Sequence, residues 1–509
     1  MGGAQACQNG SGEGEERRWY GFTCWDLEIL ALGGFTQLAD STELSITKWI
    51  LPVLETEWGV DDSQKALMGT AKSVAMGLGS IAAGVAADKW GRRPTFIACL
   101  ALVTLGGLCS VFAPNFWTFC ACRVVTSAGS AAIALSYSIL AELLSTAPCR
   151  DRALMLVGPF WGLGGCVCDK AAGVLTQQTD GSAPRWREFL ALMVAPMLLL
   201  LLWARARLPE TPVWLQAQEN RAGVARASET TTTPVVVVSA PGKQLHAALL
   251  AADDDDDDAC DDSGDDTVPP GGALQRCDSF HSAGRAAIAA SPWAQVRLLL
   301  CGALAQVTWS VLLLWGSVFG AFGYDVWFVQ LGERAGIPHP AMVNMTMLSD
   351  GPVLVLAVLS AVAVARAIGA SRVLLLGIAV QGISCMALSA CLHSYTGGPT
   401  LVAGALFLTY EAASQFALAA LRVVVAAVFP AEQRASGFGL CVVAQTSFGV
   451  LGGELTGMLT HDTIKYGLLL ASFSALALAA GIAAMRTARS FAAATAAEGG
   501  QHRPWMNHD

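Results

Sequence analysis

The chain has 509 residues, of which 54% are hydrophobic and only 14% charged, with a formal net charge of -9. That balance is far more apolar than an ordinary soluble domain's, and the chain carries no basic, aromatic-rich patch of the kind that holds nucleic acid. It describes an integral membrane protein.

Residues 1–26 form a charged, Gly-rich tail. The first apolar run follows it without a small-residue cleavage site, so the spacing predicts a retained helix rather than a signal peptide. Apolar runs then recur at about 27–54, 64–87, 95–113, 117–141, 153–175, 189–208, 309–331, 342–365, 373–392, 400–427, 437–459 and 466–485. Most reach the length needed to cross a hydrocarbon core of about 30 Å at about 1.5 Å per residue. The expected fold class is therefore an all-α membrane protein with twelve transmembrane helices.

Within run one, Thr36, Asp40, Glu43 and Thr47 fall inside a narrow arc of the helix surface, a polar stripe that should face a cavity. Lys48 adds a further charge. Each charge at a helix centre costs on the order of 2.5–3.5 kcal/mol and needs a partner, water or a changed protonation state. Asp40 and Glu43 are candidates for proton coupling, a reading preferred to the alternative that they are structural groups tied to Lys48, Lys72 or Arg123. Between runs two and three lies Gly84-Val-Ala-Ala-Asp88-Lys89-Trp-Gly91-Arg92-Arg93. Its cations place it on the cytosolic side, Gly84 allows close helix approach, Asp88 can meet a helix N-terminus or an arginine, and Gly91 permits the turn.

Run four carries Arg123, Ser127, Ser130 and Tyr137 in one arc and ends at Glu142. An arginine there either holds an anionic solute or sets the protonation of a nearby carboxylate. Residues 209–308 follow, with Thr230–Thr233 and ten aspartates between 253 and 266, a composition that cannot bury a core and predicts disorder. This acidic loop is a solvated spacer or a docking segment for a protein partner; it lacks the ligand spacing of a calcium site. Run seven is rich in aromatics, from Trp309 and Trp315 to Phe328, read as interfacial belt and helix packing in preference to a stacking platform for solute. Asp350 stands beside Gly351-Pro352 in run eight, and Glu411, Gln415 and Arg422 share a face of run ten. The fifteen cysteines form no ligand set and read as small membrane hydrophobes, so no metal is expected.

The halves look duplicated. Arg366 to Arg372 follows run eight as Lys89 to Arg93 follows run two, 277 positions on, and Arg434 follows run ten as Arg150 follows run four, 284 positions on. The domain plan is a 1–26 tail, a six-helix bundle at 27–208, a central cytosolic loop at 209–308, a second bundle at 309–485 and a 486–509 tail, with both termini cytosolic by the distribution of Lys and Arg.

The 84–93 loop resembles the signature of the major facilitator superfamily, and every specified position of the pattern is filled. Leu38-Ala-Asp40-Ser-Thr-Glu43 resembles the first helix of the synaptic-vesicle-2-related branch, and the Arg123…Glu142 spacing, Leu208-Pro-Glu-Thr-Pro-Val-Trp-Leu215 and Phe429-Pro430 with Arg434 are similar to that branch and to the sugar porters. The second half departs from the pattern at Ala365 and Ala427, where the family usually has acidic residues. The resemblance implies a 6+6 arrangement and alternating access. It points to secondary transport of a small polar organic solute, with protons as coupling ion and no cofactor. Asp40, Glu43, Lys48, Arg123, Tyr137, Glu142, Asp350, Glu411 and Gln415 are the candidate coupling and cavity residues. Gly84, Asp88, Lys89, Gly91, Arg92 and Arg93 would govern the conformational cycle. Rival readings are a facilitative uniporter and a non-transporting receptor or vesicle-trafficking protein; the lack of a Gly-rich phosphate loop, H-E-x-x-H or nucleophile elbow disfavours an enzyme or a primary pump.

Overall fold

The computed structural model describes residues 22–144, 146–175, 185–216, 218–219, 292–302, 304–321, 331–332, 335–395, 400–430, 433–459 and 462–497. In chain order the helices are α1 (Cys24–Trp58), α2 (Asp62–Trp90), α3 (Arg92–Val111), α4 (Phe116–Gly129), α5 (Ala132–Leu143), α6 (Ala147–Leu156), α7 (Gly158–Leu175) and α8 (Trp186–Arg207). They continue with α9 (Pro292–Cys301), α10 (Ala305–Gly320), α11 (His339–Leu348), α12 (Leu354–Ile368), α13 (Ala370–His393), α14 (Leu401–Val428), α15 (Arg434–Leu459) and α16 (Thr463–Ala497). Eleven of the twelve apolar runs lie on these helices, run four as α4 plus α5, run five as α6 plus α7 and run eight as α11 plus α12; run seven begins on α10 and continues into residues outside those described. Among the described residues, eight helical stretches are long and apolar enough to cross a membrane, and α10 is a shorter apolar helix.

Local chemistry sets the ends. Thr23 and Asp26 bond reciprocally in a capping box before α1, Asp61 and Gln64 do the same before α2, and Gly59 closes α1 at φ +63°. Gly91, at φ +113°, turns the chain directly from α2 into α3, a conformation that a side chain would strain. Between α11 and α12 the residues Ser349–Val353 form one π-helical turn around Pro352, whose missing N–H cannot continue an α-helical ladder. The segment expected to be unstructured is helical at both margins, at 212–216 and in α9, where Val296, Leu299 and Leu300 supply apolar surface to pack; the acidic run itself lies outside the described residues.

Among the described residues, charged side chains are buried while many large apolar side chains are exposed. Leu78, Leu105, Leu199, Leu356 and Ile383 are all 60% or more exposed, whereas Asp88, Arg92 and Arg123 are 2% or less. Apolar outer faces around a charged interior suit lipid, not water, as surroundings. One hydrophobic core joins both halves and includes Leu140, Tyr137, Trp315, Val424 and Phe438. Two separate cores lie toward the opposite ends of the helices, one in each half: Ile50, Phe119 and Trp186 in the first, Phe407, Tyr410 and Tyr466 in the second. The halves are thus packed together at the end bearing the 84–93 loop and built independently at the other.

Candidate functional site

At the signature-loop end, Asp88 at the foot of α2 accepts hydrogen bonds from the Ser436 N–H (3.1 Å) and hydroxyl (2.6 Å), in the first turn of α15. A carboxylate at a helix N-terminus satisfies an orphan N–H and complements the dipole. Its other oxygen lies 3.1 Å from Arg92 Nη2, and Arg92 in turn donates to both oxygens of Glu142 (3.1 and 3.2 Å). Arg434 Nη1 approaches Glu142 at 3.8 Å. Glu142 therefore belongs to this charged latch, away from Arg123, the residue whose spacing had linked it to the coupling group. The Arg92 and Arg93 N–H groups at the start of α3 are held by Glu210, Arg93 also donates to the Arg205 carbonyl, and Lys89 lies over the Trp90 ring. Gly84 makes the crossing with α15 feasible: a Cβ there would stand 2.7 Å from the Ala435 carbonyl oxygen.

The second half has no equivalent latch among the described residues. Ala365 and Ala427 occupy the positions where carboxylates would stand, Gly369 keeps the positive-φ turn, and Arg372 Nη1 donates to the Ile368 carbonyl at 3.5 Å.

Deeper in the first half, the Glu43 carboxylate pairs with Arg123 and accepts from the Thr126 hydroxyl (2.7 Å). Arg123 also donates to the Glu43 carbonyl at 3.1 Å, while its Nε and Nη1 have no acceptor among the described residues. Asp40, one turn below, takes a hydrogen bond from Trp161 on α7 and leaves Oδ1 unbonded. It lines a cavity of about 10 Å³ with Thr36, Ser130 and Met197. Lys72 on α2 donates to Thr47. The described contacts of the α1 stripe all run to helices of the first half. Two carboxylates, an arginine and a lysine are thus enclosed among helices of the first half, charges costly to bury without partners.

Tyr137 joins the halves. Its hydroxyl donates to Gln37 Oε1 on α1 (3.1 Å) and accepts from Arg422 Nε on α14 (3.2 Å), with the Arg422 guanidinium 5.6 Å from the Tyr137 ring centre. Trp315 on α10 is 2% exposed, stacks on Phe319, meets Tyr137 and Phe438 edge-on or tilted, and donates to Gln445 (3.2 Å). Trp315 therefore lies on the seam between the halves, whereas Trp309, 56% exposed, suits an interfacial belt; residues 322–330, with the remaining aromatics of run seven, lie outside the described residues. Gln37 and Gln445 were not singled out from the sequence, because isolated amides in apolar helices carry no distinguishing spacing.

The other candidates lie apart. Glu411 and Gln415 are buried on α14. Asp350 sits in the π-helical turn beside a groove of about 400 Å³ lined with Pro159, Leu163, Cys166 and Leu356. The Lys48 side chain is outside the described residues. No group of three His, Cys, Asp or Glu that could hold a metal occurs among the described residues.

Comparison with known proteins agrees with this architecture. The profile of the Major Facilitator Superfamily matches residues 33–452. The chain is similar to the putative transporter svop-1 of Caenorhabditis elegans, 28% identical over 177 residues, 35% of this chain and 33% of that protein. It is also similar to organic cation/carnitine transporter 7 of Arabidopsis thaliana, 26% identical over 202 residues, 40% of this chain and 39% of the relative. These matches span less than half the length of either relative. Among solved structures, the proton:xylose symporter XylE superposes with a TM-score of 0.66 at 17% identity, covering 90% of this chain and 94% of that one, a likeness of fold. With the profile spanning most of the chain and the signature loop seated between α2 and α15, the chain belongs to the Major Facilitator Superfamily.

Proposed function

We propose that the chain is a secondary active transporter of a small polar organic solute, coupled to protons, that rocks its two six-helix halves about a central site. The observation that carries this reading is the asymmetry of packing: one core shared by both halves at the signature-loop end, and two independent cores at the other. Such a molecule can hinge open at either end while each bundle stays intact, which is the requirement of alternating access. We assign the signature-loop end to the cytosol, together with both termini and the central loop, from the cation distribution. The state described is then closed toward the cytosol.

Coupling is assigned to Asp40 and Glu43. Proton uptake on Glu43 would cancel its attraction for Arg123, freeing an arginine in the bundle interior, and Asp40 offers a second acidic oxygen with no partner. The relatives named for organic cations and carnitine, and the fold neighbour named for xylose and protons, support a small polar organic solute.

Uptake of a solute panel into proteoliposomes, with and without an imposed pH gradient, tests the reading. Accumulation that depends on the gradient is expected; equilibration that ignores it would indicate a uniporter. Deleting 225–285 should leave uptake intact, whereas a docking protein would lose its activity.

A further inference from the structure

We infer that the groove beside the π-helical turn is a lateral binding site, open to the bilayer, for a single-chain amphiphile that carries a protonated amine. The inference stands apart from the transport reading, because this ligand resides in the lipid and is not the transported solute.

The groove holds about 400 Å³, a volume that suits a small organic ligand. Pro159, Leu163 and Cys166 of α7 line one side, and Asp350, Pro352 and Leu356 the other. Leu163 and Leu356 are 51% and 65% exposed, so the rim belongs to the apolar outer surface and a ligand arrives through lipid. Backbone sets the distance between the two sides: a Cβ on Gly162 would collide with the Asp350 carbonyl oxygen, so α7 runs directly against the turn.

Depth restricts the head of the ligand. Asp350 lies within the apolar stretch Asn344–Ile368, eleven positions beyond His339 at the start of α11. That is about 16 Å along the helix, about half the hydrocarbon thickness. A phosphate-bearing headgroup would have to leave the interface to reach this level, whereas an amine on a single chain brings one small polar group and an apolar remainder.

The lining chooses the sign of the charge. The Asp350 carboxylate lies near enough to the Cys166 thiol for its charge to be felt there, and that sulfur would stand 3.8 Å from a Cβ on Gly351, so carboxylate and thiol share the groove. Pro352 has no N–H, which leaves a carbonyl of the preceding turn without its ladder donor. Among the residues lining the groove, the remaining polar side chain is that of Cys166, a weak donor. Strong acceptors with no strong donor call for a ligand that donates and is positive. A protonated amine supplies up to three N–H groups and the charge together.

The test uses the full chain in phosphatidylcholine vesicles, labelled with a dodecylamine that carries a photoreactive diazirine in its chain and mapped by mass spectrometry. Labelling should saturate and concentrate on residues 158–175 and 349–368. Plain dodecylamine should displace the label at a concentration at least about tenfold below that of dodecanol or dodecanoate, which have the same chain with a neutral or negative head. Asp350→Asn should remove this preference for the amine. Leu163→Trp, which fills the groove from an exposed position, should abolish saturable labelling, and it decides the matter should Asp350→Asn fail to fold. Labelling spread evenly over the exposed helix faces, equal displacement by dodecanol, or wild-type behaviour of either folded variant would overturn the proposal.

Discussion

The Asp88 carboxylate holds both the backbone N–H and the hydroxyl of Ser436, 348 residues further along the chain. One side chain on α2 thus meets the N-terminal turn of α15, a helix of the other half, and Arg92 ties the same carboxylate to Glu142. Closure at this end is electrostatic as well as apolar, and it can be weakened without touching the deeper polar sites.

Asp88→Asn keeps an acceptor for Ser436 but removes the charge that Arg92 and the α15 N-terminus attract. Turnover should fall by about tenfold, equivalent to about 1.4 kcal/mol, with solute affinity changed less than about twofold. Paired counterflow and binding measurements check this; lost affinity with normal exchange would contradict it.

Gly84→Val should hold the signature-loop end open, since its Cβ would meet the Ala435 carbonyl oxygen at 2.7 Å and the Ser436 Cα at 2.9 Å, both backbone. In a background without native thiols, a cysteine at Ser80, fully buried against Gly439, should then label faster with a water-soluble maleimide. Unchanged labelling would show that the seam yields without opening.

Much of this arrangement could be read in the sequence, for reasons particular to the residues concerned. Helix period and bilayer thickness are local constraints, so the twelve runs and the α1 stripe follow from spacing alone. Of the two partners open to Asp88, the arginine is local, since Arg92 stands four positions on, whereas the helix N-terminus it meets is that of α15, 348 positions away. The Arg422–Tyr137 contact bridges 285 positions and depends on how two bundles dock, which no local pattern encodes. Glu142 shows the same limit: its spacing from Arg123 suggested kinship, yet tertiary packing gives it Arg92 and Arg434, and gives Glu43 to Arg123.

Sidedness is open to direct test. A cysteine at Lys89, exposed beside the signature loop, should react with an impermeant reagent only from the cytosolic side, and one at Ser63, exposed at the start of α2, only from the opposite side. The reverse pattern would invert the topology.

The Glu43–Arg123 pair should show strong energetic coupling. Glu43→Gln leaves a buried arginine with less compensation and Arg123→Gln leaves a buried carboxylate with Thr126, so each single change should cost about 3–5 kcal/mol. The double variant, with no charge to compensate, should melt above either single one. Additive losses in thermal unfolding would show that the pair does not act as a unit.

In the proposed cycle protons enter at Asp40 and Glu43, and uptake against a gradient, compared with counterflow in the same proteoliposomes, separates coupling from exchange. Asp40→Asn should abolish accumulation driven by a pH gradient while retaining exchange, which needs binding and reorientation but no net proton movement. Glu43→Gln should fall between that variant and the wild type, and the double variant should exchange solute without concentrating it. Full accumulation by the Asp40→Asn, Glu43→Gln double variant would contradict the account and move the coupling to Glu142, Asp350 or Glu411.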